Sequence, residues 1–155
     1  MLSTIEKVII LKTVSIFAST SDDILAETAA LVEEVELAAG ATLFAKGDLG
    51  NSMYIVVSGN LRVHDGENTL NFRAEREVVG EMALLDPEPR SASVTAVEDT
   101  LLFRIDQEPF YDLMADRIEV VRGIMRVITG SLRARVRDVA DLRVRIQALE
   151  ARQSL

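Results

Sequence analysis

Between Val35 and Ile105 the hydrophobic pattern runs at strand period, and this constrains the fold more than anything else in the chain. Seven short runs, VELA, TLFAK, MYIVVS, LRVHD, TLNFR, SASVTAV and TLLFRI, either alternate or are wholly apolar. Gly40, Gly47-Asp48, Gly59-Asn60, Asp65-Gly66 and Glu98-Asp99 punctuate them. Strands this short, with turn residues about every 8 to 12 positions, predict antiparallel hairpins folded into a sandwich or roll. The glycines between them read as turns that need positive φ.

Outside that stretch the period is helical. STIEKVIILK (3–12) offers Ser3 or Thr4 as a cap and Glu6 in the first turn, and residues 13–21 read as a connector. From Ser21, SDDILAETAALVEEV brings an N-cap, acids in the first turn, and Ile24, Leu25, Ala29, Leu31 and Val32 near helical spacing. After the strands, Asp106 is placed to cap a helix through FYDLM, with Pro109 tolerated in its first turn. A long helix then runs from about Arg117 to Arg152. Its seam, through Val121, Met125, Ile128, Leu132, Val136, Val139, Leu142, Ile146 and Leu149, steps at the coiled-coil spacing, with a locally overwound patch around Val139. Gly123 and Gly130 each weaken its front portion by about 1 kcal/mol relative to Ala, so a hinge is expected between Asp116 and Ser131.

Composition narrows the function classes. At 155 residues the chain is one domain's worth, and 48% apolar residues make it globular. No Cys is present, which excludes disulfides and thiolate metal sites. No apolar run approaches the roughly 20 residues that span a bilayer, and the N-terminus lacks the order of a signal peptide, so a cytoplasmic location is expected. HExxH, a Walker loop and GxSxG are all absent, so no enzyme is expected, and no metal. His64, on an alternating strand, reads as a solvent-facing residue without a partner. The net charge of −8 divides unevenly: residues 1–116 carry 8 Lys+Arg against 21 Asp+Glu, residues 117–155 carry 9 Arg against 4 acids. An acidic body repels nucleic acid. After Leu149 only six residues follow, so no helix-turn-helix, and no DNA reader, is expected within this chain.

One stretch, VGEMALLDPEPRSASV (79–94), carries chemistry. Arg90 presents a planar fork of donors suited to two phosphate oxygens, and the small residues after it let backbone N–H groups approach the same anion. Glu81, ionised, only accepts, which suits a hydroxyl. A ligand that satisfies both carries a phosphate near a sugar hydroxyl, as a cyclic nucleotide does. The acidic body opposes an anion, but at contact distance opposite charges near a protein surface attract by about 4 kcal/mol, which outweighs distant solvated carboxylates.

Gly80-Glu81-Met82-Ala83-Leu84 and Arg90-Ser91-Ala92-Ser93 resemble, position by position, the phosphate-binding cassette of the cyclic-nucleotide-binding domains, the family of catabolite activators, kinase regulatory subunits and nucleotide-gated channels. Val79 stands where the family usually has Phe or Ile, and Leu11, Lys12, Val14 and Phe17 resemble its N-terminal helical segment. The resemblance implies an α+β, mainly β fold: an antiparallel double-stranded β-roll, jelly-roll-like, at 35–105, flanked by a helical segment at 1–34 and helices at 106–155. It further implies that Glu81 accepts from the ribose 2′-hydroxyl and Arg90 pairs with the cyclic phosphate. Gly80, Met82, Ala83, Ser91 and Ala92 would line the pocket, and Arg135 and Val136 would reach the base from the long helix. Cyclic AMP is expected ahead of cyclic GMP, signalling by repositioning of a C-terminal helix that also forms a homodimer, with any effector domain outside this chain. The alternative is a ligand-free interaction module in which the coiled coil is the function.

Overall fold

The computed structural model describes residues 1–154. Helices α1 (Thr4–Lys12) and α2 (Asp22–Leu31), with a 3-10 turn at Ser15–Phe17 between them, precede β1 (Glu33–Leu37), β2 (Thr42–Phe44), β3 (Ser52–Ser58), β4 (Leu61–Asp65) and β5 (Asn68–Arg73). Then follow β6 (Val78–Val79), α3 (Glu81–Leu85), β7 (Ser93–Ala96), β8 (Thr100–Asp106), α4 (Gln107–Ala115) and α5 (Ile118–Gln153). The strands form two antiparallel four-stranded sheets, ordered β1-β8-β3-β6 and β2-β7-β4-β5. This is the expected β-roll with helices at both ends.

Two cores follow from the alternation. On β3, Met53, Ile55 and Val57 point to the helices, where they meet Leu11, Phe17, Leu25, Phe110 and Ile124; Val56 points inward to Leu61, Val79, Val94 and Leu102 between the sheets. A strand covered on both faces needs apolar residues at every position, which is why MYIVVS is continuous rather than alternating. Gly40, Gly47, Gly59, Gly66 and Gly80 all take positive φ.

Several local expectations change. Ser3 and Glu6 form a reciprocal capping box on α1, but Ser21 and Asp106 make no side-chain cap. Asp106 instead accepts from Ser52 Oγ at 2.6 Å and Arg104 Nε at 2.8 Å. Helix α2 stops at Leu31, short of the Glu-Glu-Val that continues its pattern, because Glu33–Leu37 pair along β8, Glu33 opposite Arg104 and Leu37 opposite Thr100. His64 is not free: Nδ1 meets the Gly66 carbonyl and Nε2 the Thr95 hydroxyl, each at 2.8 Å. Nor do the glycines break α5, which is helical throughout its 36 residues. Gly123 is buried where a Cβ would run into the Ile16 carbonyl, so it is there for close approach of α5 to the 3-10 turn rather than for bending. Among the described residues no helix is long and apolar enough to cross a membrane.

Candidate functional site

Strand β6 delivers the chain to Gly80, whose left-handed backbone (φ 81°, ψ 15°) turns it into the single-turn helix α3. Burial of Ala83 and Leu84 fixes α3 against the body. Its last carbonyls are not left open. Gln107 Nε2 donates to Leu84 at 3.1 Å and Tyr111 Oη to Leu85 at 2.8 Å, so α4 holds the C-terminal end of α3.

The loop that follows is tied to the β2–β3 loop through backbone alone. Arg90 N–H donates to the Asp48 carbonyl at 2.7 Å, the Arg90 carbonyl accepts from Gly47 N–H at 2.8 Å, and Leu49 bridges Pro89. Held this way, the Arg90 side chain is driven inward and only 8% of the residue is exposed. Its guanidinium carbon lies 4.1 Å from the centre of the Phe44 ring, and Nη2 donates to the Ser52 carbonyl at 2.9 Å. Gly50 and Gly80 flank it. A Cβ on Gly50 would collide with the guanidinium, and one on Gly80 would lie 2.6 Å from Nη1. The cradle has room for an arginine because both neighbours lack side chains.

Arg90 is not fully satisfied. Nη1 is buried with no hydrogen-bond partner among the described residues. Burial pulls the Arg90 pKa down, with Tyr54 and Asp48 opposing, yet a guanidinium stays charged in proteins. A buried cation with a spare donor is costly unless an anion meets it. Across the same cavity Glu81 is half-buried, and its carboxylate makes no hydrogen bond or ion pair among the described residues. A strong donor and an acceptor-only group thus face one space, and neither is spent on the other.

That space is an open cavity of about 760 Å³. It is bounded by all seven residues expected from the cassette, Gly80, Glu81, Met82, Ala83, Arg90, Ser91 and Ala92. Arg135 reaches it from α5; Val136 does not, and lies 62% exposed on the helix surface. Sequence reasoning missed Phe44, Leu70, Asn71 and Arg73, which complete the wall. For Asn71 and Arg73 the alternation of β5 was the one hint, since the two share one face of that strand; Phe44 on β2 and Leu70 carried none. Ser93, part of the motif, is used structurally: its hydroxyl accepts from Lys46 N–H at 2.9 Å.

A β-roll with a buried, under-satisfied arginine and an unpaired carboxylate on one cavity has the chemistry to meet a small anionic ligand that also carries a hydroxyl. The family model described as "Cyclic nucleotide-binding domain" matches residues 34–117, more than half of the chain, and the protein belongs to that family. The CRP-like cAMP-activated global transcriptional regulator of Mycobacterium tuberculosis is 30% identical over 138 residues, 86% of this chain and 62% of that protein. The cyclic AMP receptor protein of Thermus thermophilus is 36% identical over 116 residues, 72% of this chain and 51% of that one. The crystal structure of the catabolite activator protein of Thermus thermophilus superposes with a TM-score of 0.76 at 28% identity, over 83% of this chain and 62% of that one. The chain thus spans between half and two thirds of the length of these relatives.

Proposed function

We propose that this protein is a cyclic-nucleotide sensor, a regulator rather than an enzyme, which takes cyclic AMP ahead of cyclic GMP. The observation that carries the reading is the unpartnered Nη1 of Arg90 beside the unpartnered carboxylate of Glu81 on one cavity. Arg90 receives the exocyclic oxygens of the cyclic phosphate, Glu81 accepts from the ribose 2′-hydroxyl, and backbone groups of Gly80, Met82, Ala83, Ser91 and Ala92 line the ligand. Arg135 lies over the base, with Val136 joining it as α5 closes. Support for cyclic AMP comes from the relatives, two of which carry it in their names. Ligand shifts α5 between positions by as much as its affinity differs between them, and no more. The output belongs to a partner or to a domain outside these residues.

The exposed apolar seam of α5 favours a second reading, a ligand-free dimerisation module. Calorimetric titration separates the two. Wild-type protein binds cyclic AMP, and Arg90→Leu loses at least ~1.5–3 kcal/mol, about ten- to a hundredfold in affinity. Saturating nucleotide at 100 times its dissociation constant also raises wild-type stability by about 2.7 kcal/mol. Equal binding by wild type and Arg90→Leu overturns the site; no heat and no thermal shift with either nucleotide leaves the module.

A further inference from the structure

The charged residues that line the cavity balance: Glu81, Asp86 and Glu88 stand against Arg73, Arg90 and Arg135. Arg73 is partly spent on the fold, its Nε donating to the Val78 carbonyl at 3.3 Å and its Nη1 to the Phe72 carbonyl at 3.2 Å. Glu81 has a use, since a ligand hydroxyl can donate to it. Asp86 and Glu88 have none of that kind. Both lie exposed on the loop between α3 and β7, and neither carboxylate makes a hydrogen bond or ion pair among the described residues.

Backbone pairing fixes where Glu88 stands. Pro89 bridges Leu49 and the Arg90 N–H donates to the Asp48 carbonyl, so the chain runs extended there, and in an extended chain positions two apart face the same side. Glu88 therefore shares the side of Arg90. Asp86 is held at the end of α3, where its N–H donates to the Met82 carbonyl at 2.9 Å. The unpartnered Nη1 of Arg90, in a residue only 8% exposed, marks where an anion is received, and two unpaired carboxylates border the same space.

Carboxylates beside an anion site weaken every anion, but not equally. Coulomb energy follows the product of the charges, so a ligand with two negative charges is opposed twice as strongly as a ligand with one. A cyclic phosphate diester carries one. An open phosphate monoester, with its second pKa at about 6, carries nearly two at neutral pH. We propose that Asp86 and Glu88 are specificity-determining residues that set the charge the cavity accepts, favouring a singly charged phosphate diester over the doubly charged monoesters of the same nucleoside. Arg90 alone works the other way, because its own charge attracts the dianion more strongly; the rim of the loop cancels that advantage. Both carboxylates are exposed, so their field is screened and reaches about 10 Å at 0.1 M salt. This selection rests on the nucleotide reading above and deepens it: the loop's charge, and not the shape of the phosphate ring alone, rejects open nucleotides.

Competition against labelled cyclic AMP, on the full chain at low salt and at about pH 8, where the monoester is a dianion, tests the selection. The competitors are cyclic AMP, 5′-AMP, and the methyl ester of 5′-AMP, an open diester with one negative charge. In Asp86→Asn/Glu88→Gln, affinity for cyclic AMP and for the methyl ester rises about threefold and affinity for 5′-AMP about tenfold, roughly the square that doubled charge requires. At about 1 M salt, where the Debye length is about 3 Å, all three gains shrink below about twofold. Asp23→Asn/Glu36→Gln removes the same charge from exposed positions on α2 and β1 outside the cavity, and leaves the three affinities within about twofold of wild type. The proposal is overturned if 5′-AMP gains no more than the methyl ester in Asp86→Asn/Glu88→Gln, or if Asp23→Asn/Glu36→Gln moves it as far. With cyclic AMP bound by wild type and those ratios flat, only the charge selection falls and the nucleotide reading stands. If wild type binds none of the three, the nucleotide reading itself falls and the selection goes with it.

Discussion

Arg90 lies over the face of Phe44, its guanidinium carbon 4.1 Å from the ring centre, although the two residues come from opposite ends of the sheet's sequence. The ring covers one face of the guanidinium and itself lines the cavity, so it keeps water from competing for the charge on that face. A stack of this kind is worth ~0.5–2 kcal/mol depending on desolvation. Phe44→Leu keeps an apolar residue on β2 but removes the π face, and cyclic AMP affinity measured by calorimetry falls about two- to thirtyfold. Unchanged affinity means that the ring only fills space.

Gly50 separates ligand binding from stability. Its backbone is not in the left-handed region, and the three nearest atoms an added Cβ would meet all belong to the end of the Arg90 side chain. Gly50→Ala therefore expels the guanidinium without forcing the backbone to move. Nucleotide affinity falls as far as in Arg90→Leu, while the melting temperature without nucleotide moves by no more than about 3 °C, the equivalent of ~1 kcal/mol for a domain of this size. A large drop in melting temperature with affinity kept would mean that Arg90 is a structural cation.

Asp106 gives the fold an acid sensitivity. Burial raises its pKa, but the hydrogen bonds from Ser52 and Arg104 and the Arg104 charge together outweigh that and leave the carboxyl below its ordinary value. A folded-state pKa below the unfolded one adds stability that is complete above the unfolded value, about 4, and fades as pH falls through the folded value. In urea unfolding, wild type exceeds Asp106→Asn by a constant margin from about pH 7 to 5, and the margin narrows below about pH 4. A margin that is flat down to about pH 3 shows that the Ser52 and Arg104 contacts do not hold in solution. Because the Ser52 carbonyl also accepts from Arg90, the same titration slackens one support of the cavity.

The sequence announced whatever rests on period and on consecutive residues. The strand runs are visible because β3 and β8 are apolar on both faces and the hairpins turn at glycines, and Gly80 to Ala92 stand together because one turn of helix and one loop carry them. What stayed hidden depends on partners distant in the chain. Two residues at Val78–Val79 have no period to reveal β6, and the end of α2 was decided by a ladder to β8 that competes with helix propensity for Glu33 to Val35. Nothing near Asp106 says that its carboxylate goes to Ser52, 54 residues earlier, rather than to its own helix. Phe44 under Arg90 is likewise a contact, between the end of β2 and the loop before β7, that only the closed roll brings together.

The two glycines of α5 look alike in sequence and should answer oppositely to the same substitution. Gly130 has nothing within 4 Å of an added Cβ and lies in an exposed helix interior, so Gly130→Ala stabilises by ~0.4–1 kcal/mol through the lost freedom of the unfolded chain. Gly123 faces the Ile16 carbonyl, a backbone atom that cannot rotate away, and its neighbours Val120 and Ile124 are buried in the helical core. Gly123→Ala gains the same propensity but must lift α5 off the 3-10 turn, at the ~1–3 kcal/mol typical of overpacking, so its net effect is destabilising. Lifting α5 there also displaces Arg135 at the cavity, so nucleotide affinity falls in Gly123→Ala and not in Gly130→Ala. Thermal unfolding and calorimetry of the two variants check this together. If both alanines stabilise, the root of α5 moves freely on the body and the hinge lies at Gly123 after all; if only Gly130→Ala does, α5 is clamped at its base and its motion belongs to the segment beyond.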